Sequence, residues 1–327
     1  MGSSPSRKLN LIYPLILYTP YKKHLSHQTE SIVHVLSIIY LRDKRIAVSY
    51  MNSTIVIYSI VNERFVTDFV IQLDSFSNDI CEIDDNVIIY ETKNKYKKSF
   101  FYFVKLEYES YGEINKIQND SKGSIKFCAL SNNRFVAFGT GPIKIYSSKF
   151  PYNVLSIINE ENYCWINMLV EIENKDMLII SKFNDHNTVL FNLSSMQVIC
   201  SFVDIQIQCC LILDEEHLLL GGKEYIWKMN IEKCSNQILV HRKNQIGSFQ
   251  SFLMMNDGMV LCGNSQNLVF LLDLNKTKIT LLLNLETVNP YPITFLQMID
   301  EKRNQFISSS SQGSICLWNY EIINSYY

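Results

Sequence analysis

The residues that could do chemistry in this chain are few and scattered. Six histidines are present: His24, His27, His34, His186, His217 and His241. Only His24 and His27 are close in sequence, and neither has a further ligand-type residue at metal-binding spacing. Each therefore reads as a loop or core histidine, and no metal site is expected. The nine cysteines form no CxxC, and most lie in apolar runs such as Lys126-Phe127-Cys128-Ala129-Leu130. A thiol in such a run behaves as a small buried hydrophobe. The odd count and unpaired spacing imply free thiols in a reducing, cytoplasmic setting. Asp84-Asp85 and Asp214-Glu215-Glu216 could supply a general acid and base. Both clusters sit between short apolar runs, where solvated turn residues belong. No nucleophile-elbow, HExxH, Walker or GxGxxG pattern occurs, and Gly263-Asn264-Ser265-Gln266-Asn267 lacks the second glycine of an elbow. No catalytic residue and no cofactor are expected.

Two features suit binding better than catalysis. Lys93-Asn94-Lys95-Tyr96-Lys97-Lys98 is the one conspicuous charge run. It could dock an acidic segment or a phosphate-rich surface. Its ordinary reading is a solvated loop, offset by Glu107 and Glu109 nearby. The start, Met1-Gly2-Ser3-Ser4-Pro5-Ser6, fits the myristoylation pattern with Gly2 as the acceptor and Arg7 and Lys8 adding charge. One acyl chain with two basic residues gives only weak, reversible membrane contact. The run after Lys8 is broken by Pro14 and lacks a small-residue cleavage site, so a secretory leader is not expected. No apolar run is long enough to span a bilayer. A formal net charge of -2 with 19% charged residues sets up no field for nucleic acid, which is not an expected partner.

The elements that would position these residues follow from an internal repeat. Polar turns centred on residues 43, 85, 132, 175, 215, 257 and 302 separate apolar runs, with successive spacings of 42, 47, 43, 40, 42 and 45. The turns include Asp84-Asp85-Asn86, Ser131-Asn132-Asn133 and Asn256-Asp257-Gly258. Such residues tolerate the positive φ of tight hairpins. A β-rich run precedes and follows each turn, as at 35–40 and 46–49. A third run ends in a recurring dipeptide, from Tyr58-Ser59 to Trp318-Asn319, and is apolar on both faces in several units. That pattern fits a strand buried between neighbouring sheets. A weaker fourth run appears at 65–70, 153–158, 197–202 and 278–283.

Four strands per unit of about 40–45 residues predict an all-β, seven-bladed β-propeller of four-stranded antiparallel blades. It forms a single domain over 1–327. The seventh unit supplies only three strands, while an extra apolar run, Leu11 to Tyr18, precedes the first. The N-terminal segment 9–20 is therefore predicted to close the last blade, with 1–8 a flexible terminus. Closure removes an open join that would invite aggregation, and an outer strand tolerates Pro14.

Together these units resemble the WD-repeat family. Phe306 to Asn319 looks like its strand, small residues, turn, strand and Trp-Asp, and the sixth and third units are similar through Leu261-Cys262-Gly263 and Ile143-Lys144-Ile145-Tyr146-Ser147. The resemblance spans nearly the whole chain, with degenerate motifs. Trp stands at the signature position only as Trp227 and Trp318, Gln312 replaces the turn Asp of the last unit, and a Gly-His pair is absent. The resemblance implies a non-catalytic scaffold for other proteins or peptides, a monomeric ring inside a larger assembly. Candidate partner-binding residues are Lys93, Lys95, Tyr96, Lys97 and Lys98, with Asn184, Asp185 and His186 in a second irregular loop, both on one rim. One alternative is a membrane-surface adaptor anchored through Gly2; His241-Arg242-Lys243 is a weak likeness to a lipid-binding pair. The other is an enzyme with a central-channel site, which would need polar residues on the innermost strands. Those strands, such as 166–170 and 209–213, read as apolar.

Overall fold

Turns that few residue types tolerate cut the chain into short Val-, Ile-, Leu- and Phe-rich strands, which form a ring of seven four-stranded antiparallel sheets. The computed structural model describes residues 6–17, 34–94, 96, 98–119, 123–158, 165–183, 187–203, 205–223, 225–255, 258–284, 293–300, 305–310 and 315–325, except 242–246. Blade 1 runs Val35–Tyr40, Ile46–Tyr50, Thr54–Val61 and Arg64–Gln72 from the centre outward. Blades 2 to 6 repeat this meander over 80–119, 125–158, 166–202, 207–241 and 249–284. The first strands of successive blades touch one another round the ring, so they line its centre. A 3-10 turn, Glu173–Lys175, joins the first two strands of blade 4.

The chain turns where its residues allow. Lys44, Asn86, Asn132, Asn133, Asp176 and Gly258 adopt positive φ in the turns between first and second strands. Five of these are the Asn, Asp or Gly side chains that reach this region at low cost. In blade 5 the Asp214 carboxylate instead accepts the N–H groups of Glu216 and His217 at 2.8 Å each. Asn256, Asp257, Gln312 and Gly313 lie outside the described residues.

Apolar packing between blades holds the ring. Seven clusters each straddle two neighbouring blades. One joins Ile55 and Ile57 of blade 1 to Ile88 and Tyr102 of blade 2, and another joins Ile307 and Leu317 of blade 7 back to Val48 and Val56 of blade 1. The third strands are therefore buried on both faces, as the double-sided apolar runs predict. Each such Ile or Leu contributes about 1.5–3 kcal/mol as an upper figure.

The N-terminal strand closes the ring. Ser6–Leu17 pairs antiparallel with Ile315–Ser325, and the last sheet takes the order N-terminal strand, third, second, first. The C-terminal stretch supplies three strands of this blade and the beginning of the chain supplies the fourth. The ladder starts at Ser6, opposite Ser325, where the sequence suggests a flexible terminus to residue 8. The reason is the length of the last strand, which continues beyond Trp318-Asn319. Register shifts between Ile12 and Leu15, so Pro14, which has no N–H to give, sits where the ladder is broken. Residues 18–20 lie outside the described residues.

Candidate partner-binding rim

Because the strands alternate in direction, each end of the ring collects one kind of connection. The links between blades, the starts of the innermost strands and the loops joining second to third strands share one end, the linker rim. The tight turns share the other, the turn rim.

The two loops singled out in the sequence both fall on the linker rim, on blades 2 and 4. Lys93 and Lys98 are exposed and Tyr96 is 71% exposed. Asn94 Oδ1 accepts the N–H groups of Tyr96 and Lys98 at 3.0 Å each, which shapes this loop. Lys95, Lys97, Asn184, Asp185, His186 and Gly2 lie outside the described residues. Flanking the second loop, Lys182 N donates to Asn187 O at 2.9 Å and Phe183 N donates to Trp165 O at 2.8 Å.

The innermost strands are not apolar where they meet this rim. In blades 4, 5 and 6 the register between first and second strands slips by one residue at Asn167, Gln208 and Gln250. A bulge re-aims the extra side chain, and all three are amides. Asn167 Nδ2 donates to Ile207 O of blade 5 at 2.9 Å, and Gln250 Nε2 donates to Gln208 Oε1. Lys126 Nζ of blade 3 donates to Asn167 O at 2.8 Å. Asp79 joins three blades: Ser37 Oγ of blade 1 and Phe127 N of blade 3 donate to its two oxygens at 2.8 Å each. Burial pushes the Asp79 carboxyl above its ordinary value, against these hydrogen bonds and Lys126. A polar girdle thus runs from blade 1 round to blade 6 at the channel mouth. It corrects the apolar reading of these strands, because period-two alternation does not register a bulge.

Beside the girdle on blade 4, Trp165 is 56% exposed and Phe183 is 55% exposed. Trp165 has φ of 67°, a conformation that costs a bulky residue about 1–2 kcal/mol. Asn167 Oδ1, two residues on, is buried without a donor among the described residues. The sequence reading missed Trp165 and the three amides. The available signal was an amide recurring at the second position of the inner runs, with Gln208 and Gln250 42 residues apart.

The turn rim is built differently. Every ion pair among the described residues lies there, and five join neighbouring blades: Arg42–Asp85 at 2.9 Å, Lys149–Asp84 at 2.6 Å, Arg134–Asp176 at 2.7 Å, Arg134–Glu171 at 3.6 Å and Lys175–Glu232 at 3.0 Å. The Lys149 hydrogen bond holds the Asp84 carboxyl below its ordinary value, and Arg134 does the same to Asp176. Asp84, Asp85 and Asp214 are turn residues with structural partners. Burial pushes the Cys128 and Cys210 thiols up to about 12 and the Cys316 thiol to about 11, so the thiolate is suppressed at these three. Among the described residues no group of three His, Cys, Asp or Glu side chains could hold a metal ion, and no helix is long and apolar enough to cross a membrane.

Comparison with known proteins bears on the fold. The chain is similar to the crystal structure of the WD40 β-propeller domain of Doa1, with a TM-score of 0.68 at 11% identity over 88% of this chain and 93% of that one. This likeness shows a WD40-like propeller fold. No family model matches the chain, and no curated protein does.

Proposed function

We propose that this propeller is a WD-repeat-type protein-interaction scaffold whose linker rim holds a segment of a partner protein across the channel mouth. The observation that carries the reading is the placement of Trp165 and Phe183, exposed and tied together, beside the girdle that fixes Asn167. Rigid aromatics supply area at small entropic cost, and interface energy concentrates in such anchors. The girdle's side chains are spent on hydrogen bonds from blade to blade, which makes it a frame and not a reaction centre. The ring does no chemistry itself, acts in the cytoplasm and enters a larger assembly as a single copy.

The test is affinity purification from the native cells, with the wild type and the Trp165→Ala/Phe183→Ala double variant compared by mass spectrometry. A protein retained by the first and lost by the second supports the reading. Identical retained sets for two equally folded proteins would refute it.

A further inference from the structure

We propose that the linker rim of blades 2 and 3 binds an acidic peptide segment of a partner protein. The inference rests on this rim being the docking face. It starts from Glu91, which is buried at the rim end of the second strand of blade 2. Its Oε1 accepts hydrogen bonds from Ser99 Oγ and from Asn119 Nδ2 at 3.2 Å, and its Oε2 accepts Ile125 N at 3.2 Å. One carboxylate thereby pins three chain segments from two blades. Three exposed lysines flank this knot: Lys93 lies two residues beyond Glu91, Lys98 precedes Ser99 and Lys126 follows Ile125. Tyr96 stands exposed in the loop between the first two.

None of these cations forms an ion pair among the described residues, whose ion pairs all lie on the turn rim; Lys126 Nζ donates to Asn167 O at 2.8 Å and acts on the Asp79 carboxylate through space. The described carboxylates of this rim besides Glu91 are Asp74, on the link into blade 2, and Asp79, which is already taken by Ser37 and Phe127. The main chain that carries these lysines is pinned through Glu91, so less ordering entropy is lost in the loop and strands when an anion arrives. Lysine is a point charge and none of the three positions is an arginine, whose fork favours a single phosphate. Lysines spread over two blades, with an aromatic ring among them, match several carboxylates along an extended segment with an apolar side chain.

The probe is a fluorescein-labelled synthetic peptide of alternating Glu and Leu, measured by fluorescence anisotropy with the full chain. Its counterparts carry Gln or Lys in place of Glu, and sodium tripolyphosphate serves as competitor. The Glu peptide is expected to bind with an affinity that falls as salt rises. The Lys93→Glu/Lys98→Glu/Lys126→Glu variant is expected to bind it about tenfold more weakly. The control variant Lys105→Glu/Lys233→Glu, on the turn rim, is expected to bind as the wild type does. Absence of Glu-peptide binding, equal binding of the Gln peptide, equal loss in the control variant, or displacement by tripolyphosphate at matched charge would each overturn the inference. If it falls while a partner is still retained through Trp165 and Phe183, the scaffold reading stands without it.

Discussion

Trp318 donates its indole N–H to Ser308 Oγ at 2.8 Å across the third and second strands of blade 7. Trp318 is 2% exposed, and its ring lies nearly parallel to Phe306 with centroids 6.0 Å apart. The hydroxyl is thus the acceptor for a donor that has no route to water. This pair is a buried side-chain hydrogen bond between neighbouring strands of one blade.

Replacing Ser308 by Ala leaves that indole N–H unsatisfied. A buried donor without an acceptor costs about 1–3 kcal/mol. We expect Ser308→Ala to lower the unfolding free energy measured in urea by that amount, and Ser308→Ala/Trp318→Phe to lose less than the two single changes added. Full additivity in the double-mutant cycle would show that the bond contributes nothing.

Blade number, strand order and closure were legible because each rests on a signal of period two or of about forty residues. Ile55, Ile57, Leu190 and Leu271 announce a strand buried on both faces, and Asn86 and Asn132 announce turns. The rim was less legible. Gln208 and Gln250 stand within apolar strands, and only the extra residue in the ladder turns them to the mouth. Trp165 has no sequence mark of exposure, since an aromatic beside an apolar run ordinarily enters the core. Glu91 and Ile125 are 34 residues apart, and nothing local predicts that they bond.

The ion pairs of the turn rim differ in value according to burial. Arg134 faces Asp176 and the buried Glu171, whereas Arg42 and Asp85 are 57% and 85% exposed along their side chains. Arg134→Ala should cost about 2 kcal/mol or more, because Glu171 loses a cation inside the protein. Arg42→Ala should cost under about 1 kcal/mol. Asp176 adds a pH signature. Its folded value is depressed, so its contribution is present above the unfolded value of about 3.9 and is lost as pH falls through the folded value. Chemical denaturation between neutral and acid pH should show a shallower acid loss for Arg134→Ala than for wild type. Parallel curves would remove Arg134 as the cause.

Asp79 works in the opposite sense. Burial raises its folded value, so the folded state holds the proton more tightly than the unfolded chain. Its contribution is fully present below the unfolded value of about 3.9 and is lost as pH rises through the raised value. Asp79→Asn keeps one side-chain oxygen for Ser37 or Phe127 and cannot ionise. The variant should lack this component of the pH dependence in denaturation midpoints read across the mildly acid range. Retention of the full wild-type slope by Asp79→Asn would assign it to another group.

Deleting residues 1–20 removes the partner of Ile315–Ser325 and leaves blade 7 with three strands. The exposed ladder and the loss of cooperative closure should lower Tm sharply. Each kcal/mol is worth about 1.5 °C in a chain of 327 residues. The truncated protein should also aggregate faster near its transition, since a bare strand edge is a template for pairing. An unchanged melting curve would mean that the N-terminal strand does not hold the ring shut.

Trp165 separates stability from function. At φ of 67° a side chain is strained and glycine is not. Alanine is ordinarily the more stable of the two small residues by about 0.5–1 kcal/mol, through the unfolded chain. Here the order should reverse, with Trp165→Gly at least as stable as Trp165→Ala and within about 1 kcal/mol of wild type. Both variants should lose the acrylamide-quenchable part of the tryptophan emission, because Trp227 and Trp318 are 7% and 2% exposed. Both should also lose the retained partner. An exposed aromatic held in a costly conformation, whose removal is nearly free for the fold, is explained by what it touches outside the ring. A partner retained equally by Trp165→Gly and wild type would leave that strain without a purpose.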